Sequence, residues 1–187
     1  MATGSVFIHE KAICESENIG DETRVWGFSH ILPGAKIGKR CNIGEGVFIE
    51  NVVTIGDDCT IKNGVCIWDR VTLMDGVFIG PNVTFTNEKC PRAFLKRGPG
   101  IYLPTLVERG ATIGAGTTVV CGVVIGAFAF VGAGSVVTRD IPPQGLWMGN
   151  PARSVGKVCV CGERLVENVC PACKGTTTQE SLFRLTI

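Results

Sequence analysis

The chain has 187 residues, with 18 Lys and Arg against 17 Asp and Glu and a formal net charge of +1. That balance excludes a global field that recruits nucleic acid or an anionic membrane, so any anion site must be local. Ten Cys and 25 Gly, with no basic-then-apolar leader in "MATGSVFIHE" and no apolar run of membrane-spanning length, predict a turn-rich cytoplasmic protein. Its thiols are then reduced or hold metal rather than forming a disulfide scaffold.

From Ile13 an apolar residue recurs every six positions, through Ile19, Val25, Ile31, Ile37, Ile43, Ile49, Ile55, Ile61, Ile67, Leu73 and Ile79 to Phe85. The step resumes at Val107 and continues through Ile113, Val119, Ile125, Val131 and Val137. Gly often follows, as at Gly38, Gly56, Gly80 and Gly114, and a second small or β-branched residue stands four positions after, as at Val47, Val65, Val83 and Ala111. A period of six keeps no single helical face. A short strand ending in a Gly-tolerant bend can use it as one side of a prism. Three sides close a coil of 18 residues, and stacked coils pair strand to strand at about 4.8 Å. The pattern predicts an all-β solenoid with a narrow aliphatic core and backbone donors satisfied between coils.

Residues 18 apart are then neighbours along one corner. Asn51, Asp69 and Asn87 form such a column, pointing outward. A polar corner column is often only turn chemistry, but the repeat breaks at Asn87. The loop over 86–106 carries Lys89, Arg92, Lys96 and Arg97 against Glu88 alone, with Pro91, Pro99 and Pro104 limiting its freedom. So long an insertion in a compact repeat points to function, and its cations suit phosphate. A solvated loop padding an oligomer edge is the competing reading. His30 shares a wall column with Phe48, Cys66 and Thr84, three coils from the Asn87 level, about 14 Å away. It is poorly placed as a base beside Asn87, but could meet the far end of an extended substrate.

The tail reads "VCVCGERLVENVCPACKG" (158–175), spacing Cys159, Cys161, Cys170 and Cys173 as C-x-C-x8-C-x2-C. Four thiolates at this spacing suit one structural zinc of zinc-ribbon type, with no position left for substrate; free or redox-active thiols are the alternative. Cys41 and Cys59, at inward small-residue positions, are predicted to be reduced core thiols.

The segments "RVWGFSHI" (24–31), "IKNGVCIWDRVTL" (61–73), "GVFIGPNVTFTN" (76–87), "CPRAF" (90–94), "PTLVERGATIGAGTTVVCGVVIGAFAFVGAGSVVTRDIP" (104–142) and "GNPAR" (149–153) together resemble hexapeptide-repeat N-acetyltransferases of nucleotide-linked amino sugars. The resemblance covers roughly residues 6–157. The best-known members act on UDP-2-acetamido-3-amino-2,3-dideoxyglucuronate, and close relatives on dTDP-3-amino-3,6-dideoxyhexoses. Gly27 stands where the glucuronate-type enzymes carry His. The resemblance implies a left-handed parallel β-helix (1–157) with the inserted loop, followed by the Cys-rich tail (158–187). It implies a parallel homotrimer and transfer of an acetyl or short acyl group from acetyl-CoA to a sugar amine, in lipopolysaccharide or other cell-surface glycan biosynthesis. Carried over, it makes Asn87 the group that holds the acceptor amine and Asp69 an acidic neighbour that orients it or takes its proton. Asn51, His30, Lys89 and Arg92 become candidate contacts to the nucleotide sugar. Backbone groups around Ala115, Thr117 and Ala133, with Arg139, Pro151 and Arg153, become candidate contacts to coenzyme A.

Two other functions stay open: a non-catalytic β-helix scaffold, and an acyltransferase of this fold with another small acceptor. A three-His metal enzyme of this fold is excluded by a total of two His.

Overall fold

The computed structural model describes residues 4–173. They form a three-walled parallel β-solenoid with no α-helix among the described residues and one 3-10 turn, Pro99–Ile101. The first wall has nine strands, from Phe7–Ile8 to Gly145–Met148 and Arg153–Lys157; the second has seven, from Ile13–Cys14 to Val136–Val137; the third has five, from Lys36–Ile37 to Val124–Ile125. Every pairing between these strands is parallel except that of Gly145–Met148 with Arg153–Lys157, where the chain doubles back and closes the first wall; the isolated bridges Val158–Arg164 and Val166–Val169 beyond it are antiparallel too.

The six-residue period is visible as burial. Ladder residues Val25 to Phe85 and Val107 to Val137 are 4% exposed or less, as are Val47, Val65, Val83 and Ala111 at the second inward positions. Successive coils pair at 18 positions, Val25 with Ile43 and Ile43 with Ile61. At the corners the coils approach too closely for a side chain: a Cβ on Gly80 would meet the Ala115 nitrogen at 2.6 Å. That contact explains why Gly so often follows the ladder residue. Cys41 and Cys59 are buried and free, and their thiols meet the carbonyls of Gly56 and Met74, both at 3.1 Å.

The ladder departs from expectation at its start. Ile13 pairs with His30 and Cys14 with Ile31, so the first coil is one residue short. Ile13 is 57% exposed, and Cys14 packs against the core in its place. The short turn is held by Ser16, whose hydroxyl donates to the Ala35 carbonyl at 2.6 Å and accepts the Asn18 N–H at 3.0 Å. A one-residue slip exchanges the inward and outward faces of a strand, which is what happens here.

The loop leaves the ladder without disturbing it. Leu73 pairs with Val107 and Thr84 with Thr118, so the coils on either side stay in register across the insertion. Ile61→Ala, at a wholly buried position, is expected to lower the unfolding free energy by about 2–5 kcal/mol. Ile13→Ala should cost less than about 1 kcal/mol, because its side chain is outside the core. Urea denaturation compares the two, and equal losses would contradict the shortened first coil.

Candidate functional site

The solenoid has three edges where walls meet. Asn51, Asp69, Asn87 and Arg139 all lie on the edge between the second and third walls. The lower two polar residues of this column are engaged in holding the corner. The Asn51 side-chain oxygen accepts the Gly34 N–H at 3.1 Å, and Asp69 Oδ1 accepts the Val52 N–H at 2.7 Å. Glu50, missed in the sequence, adds a second strap by accepting the Asp69 N–H at 2.6 Å. The equivalent donor below Asn87 is the Arg70 N–H, but it is already bound to the Val52 carbonyl at 2.9 Å. The Asn87 amide is therefore left half-buried, with no side-chain hydrogen bond among the described residues. It offers one acceptor and two donors to whatever enters.

The backbone at Asn87 is fixed. Its carbonyl accepts the Leu103 N–H at 2.9 Å, which closes the loop at its root. Arg70 Nη1 donates to the Tyr102 carbonyl at 2.7 Å and holds the returning limb. Residues 89–100 beyond this clasp are exposed, including Lys89 and Arg92. Among the described residues the Arg92 side chain bonds only the carbonyl of its neighbour Pro91, at 3.3 Å. Arg70 and Leu103 carried no signal in the sequence, since a clasp between them depends on where the loop returns.

His30 stands apart from this group. Its column steps through Phe48 and Cys66 to Thr84, as the spacing predicts. Its Nε2 lies 3.0 Å from Glu15 Oε2, and its ring meets Phe48 edge-on with centroids 5.7 Å apart. Asn51, two coils below Asn87, shares its edge but not its surroundings.

Ala115, Ala133 and Pro151 lie on a different edge, between the first and second walls. The Ala115 carbonyl accepts the Gly134 N–H at 2.8 Å, so successive corners are tied along it. Thr117 is wholly buried, its hydroxyl donating to the Gly132 carbonyl at 3.2 Å; its side chain faces the core rather than the wall. Arg139 and Arg153 are exposed. Asn87 and the Ala115–Ala133 corners are thus separated by the width of the second wall, roughly 15 Å.

The bacterial transferase hexapeptide family, described by six repeats, matches residues 18–51 and 53–87, and the hexapeptide repeat of succinyl-transferases matches 104–139. The chain is 53% identical over 159 residues to the dTDP-3-amino-3,6-dideoxy-alpha-D-galactopyranose 3-N-acetyltransferase of Aneurinibacillus thermoaerophilus, across 85% of this chain and 82% of that one. The chain belongs to the hexapeptide-repeat transferase family. Its stacked parallel coils are accordingly the left-handed β-helix of that family. Among solved structures, a hexapeptide-repeat acetyltransferase from Vibrio cholerae, complexed with acetyl coenzyme A, aligns with a TM-score of 0.59 and 29% identity over 66% of this chain and 70% of that one. A variant of GDP-perosamine N-acetyltransferase from Caulobacter crescentus, in complex with CoA and GDP-perosamine, aligns with a TM-score of 0.53 and 25% identity over 83% of this chain and 58% of that one.

Past the last strand of the first wall, this hexapeptide-repeat transferase brings four cysteines together. The sulfurs of Cys159, Cys161, Cys170 and Cys173 all lie within 4.8 Å of one another. Two of the pairs, Cys159 with Cys173 and Cys161 with Cys170, are 3.5 Å apart. A tetrahedron with Zn–S bonds of about 2.3 Å has edges of about 3.8 Å, so the four sulfurs fit one zinc. The Cys173 N–H points at the Cys170 sulfur and brings that thiol down to about 7. Residues 174–187 of the expected tail lie outside the described residues.

At the opposite end, Gly27 is buried, and a Cβ there would meet His9 Nδ1 at 3.2 Å. His9 fills the space that a side chain at position 27 would need. No helix among the described residues is long and apolar enough to cross a membrane. Asn51→Ala should cost about 1 kcal/mol, because the Gly34 N–H loses its partner. Asn87→Ala should leave the unfolding midpoint unchanged, and a clear fall measured by thermal denaturation would show that the Asn87 amide holds the fold.

Proposed function

We propose that this chain is an acetyl-CoA-dependent N-acetyltransferase acting on the amino group of a nucleotide-linked amino sugar, a dTDP-3-amino-3,6-dideoxyhexose in the first place. The observation that carries the reading is the Asn87 amide, unengaged in a column whose lower members hold the corner, at the root of a basic loop. The resemblance to an acetyltransferase of a dTDP-linked 3-amino sugar supports the substrate class. The space taken by His9 beside Gly27 favours this class over the glucuronate type.

The chemistry is attack of a neutral amine on a thioester carbonyl, and the attacking nitrogen must shed a proton before or during bond formation. Asn87 cannot accept that proton, but its side-chain oxygen can take a hydrogen bond from the amine and aim its lone pair. Asp69, one coil below, has Oδ1 committed to the Val52 N–H; its second oxygen is the candidate that orients the amine or receives the proton. Both His of the chain lie on the first coils. This arrangement suits an amine better than a hydroxyl, which is a poorer nucleophile and needs a base. Lys89 and Arg92 would hold the diphosphate, with Asn51 and His30 towards the far end of the substrate. Ala115, Ala133 and Pro151, with Arg139, Arg153 and the backbone near Thr117, would hold coenzyme A.

Because Asn87 and Asp69 lie on one edge of the second wall while Ala115, Ala133 and Pro151 lie on the other, with Arg139 alone of the donor-holding residues on the Asn87 edge, the reaction needs the second edge of a neighbouring chain. We infer a parallel homotrimer with clefts shared between chains, working in the cytoplasm on precursors of lipopolysaccharide or another cell-surface glycan. The β-helix domain, 1–157, would carry the reaction, while the tail, 158–187, would carry one structural zinc.

Asn87→Ala is expected to lower kcat about 100-fold with little change in coenzyme A affinity, since misplacing a reacting group costs on that order. Arg92→Ala should act instead on the nucleotide-sugar KM, removing a charge-assisted contact worth about 1.5–3 kcal/mol. Thiol release from acetyl-CoA with a panel of nucleotide amino sugars measures both, and unchanged kinetics for Asn87→Ala would refute this site. Absence of any coenzyme A binding would instead identify a scaffold. Light scattering is expected to give the mass of three chains; an active monomer would end the shared-cleft account.

A further inference from the structure

The four-cysteine cluster is attached to the catalytic solenoid at one place, and that place is specific. The strand Arg153–Lys157 is the last of the first wall; one side pairs antiparallel with Gly145–Met148, and its other side would be an open edge. The Cys-rich segment covers that edge. Arg164 Nη2 donates to the Val155 carbonyl at 2.9 Å, and the Leu165 N–H donates to the Lys157 carbonyl at 2.9 Å. Val158, just before the first ligand, donates its N–H to the Gln144 carbonyl at 2.9 Å and accepts from Gln144 Nε2 at 3.3 Å. Val158, Cys159 and Cys170 are all 4% exposed or less. The Cys159 N–H closes back onto the Glu163 carbonyl at 2.8 Å, so the residues that grip the strand belong to the same turn as the sulfurs.

Little else can hold this segment in shape. Among the described residues after Val158, Cys159 and Cys170 are the only buried side chains, too few for a hydrophobic core. A chain of this length without a core depends on a metal or a cross-link for its form. The order of the Arg164 and Leu165 contacts is therefore tied to the four sulfurs converging. Those contacts in turn fix the strand that begins at Arg153, two residues beyond Pro151.

We propose that the four-cysteine cluster is a metal-dependent clamp on the terminal strand, and that zinc occupancy sets how firmly the solenoid's closing segment, and with it the acetyl donor, is held. The clamp itself stands on the contacts above. Its effect on the donor rests on the acetyltransferase reading, in which Pro151 and Arg153 meet coenzyme A. Arg164 is a positioning residue in this scheme: it touches neither substrate nor metal, but grips the strand that does the holding.

The test uses full-length protein, reduced and zinc-loaded, beside the same protein stripped with a chelator and the variants Cys173→Ser and Arg164→Ala. Metal analysis should give about one zinc per chain for the loaded protein and for Arg164→Ala, and none for the stripped protein. Reduced wild type that holds no zinc after incubation with excess zinc, never having met a chelator, would overturn the site. Hydrogen exchange is then followed over peptides spanning 145–158, with the coils over 42–85 as an internal reference for folding. Amides of 154–158 are expected to exchange at least tenfold faster in the stripped protein and in Cys173→Ser, and measurably faster in Arg164→Ala, while the reference coils keep their protection. Unchanged exchange at 154–158 on metal loss would overturn the clamp. Coenzyme A titrated calorimetrically into each form should show a Kd raised about fivefold or more when the metal is gone. Faster exchange with an unchanged Kd would overturn the link to the donor. Loaded protein that binds no coenzyme A would instead refute the acetyltransferase reading, while the exchange data still decide the clamp.

Discussion

The fold depends on one constraint: each short strand must satisfy its backbone donors and acceptors on the coil above and the coil below. A strand of two residues cannot be stable alone. Here it is held by bonds such as Asn42 N–H to the Cys59 carbonyl and Thr60 N–H to the Val77 carbonyl, both 2.8–2.9 Å. Those bonds form only if each coil returns after the same number of residues. The aliphatic ladder and the corner glycines follow from that return, the first filling the interior and the second allowing coils to touch. Function is then confined to what the register leaves outside: corners, outer wall positions and any segment that departs and comes back.

The corner column on the second edge shows how narrow that freedom is. Asn51 and Asp69 resemble Asn87 in spacing and chemistry, yet their oxygens close the turn beneath them. Asn87 escapes only because the Arg70 N–H has found the Val52 carbonyl instead. A difference of one backbone hydrogen bond separates a structural residue from one available to a ligand. Corner straps recur elsewhere, as where Asp57 accepts the Lys39 N–H at 2.8 Å and Asp75 accepts the Asp57 N–H at 2.8 Å. Within the Asn51, Asp69 and Asn87 column, Asn87 is the member whose half-buried amide has no such strap.

Much of this was legible in the sequence because a strict period converts position into depth. The pairing of His30, Phe48, Cys66 and Thr84 and the buried pair Cys41 and Cys59 could be read by counting. Counting failed where the count itself changed. Ile13 fits the six-residue step but lies outside, because a turn held by Ser16 is one residue short and Cys14 takes its place. Side-chain commitments were also out of reach: spacing could not reveal that Asp69 is bonded to Val52, or that Arg70 reaches the Tyr102 carbonyl. Those depend on rotamers and on where a loop returns, which no periodicity encodes. The C-x-C-x8-C-x2-C spacing indicated that four sulfurs could meet, but not that Arg164 beside them grips the last strand.

The single bond from the Leu103 N–H to the Asn87 carbonyl has a wider consequence. It brings the two ends of the insertion together at the wall, so the ladder above and below meets as if nothing had been inserted. With Arg70 holding the Tyr102 carbonyl as well, the exposed stretch over 89–100 stands clear of the solenoid. Such a segment behaves as an interchangeable cassette: its length and side chains can be rewritten over evolutionary time without altering the packing of the coils. A chain built this way can change what the insertion presents while keeping its coils constant, because loop and ladder share only a clasp.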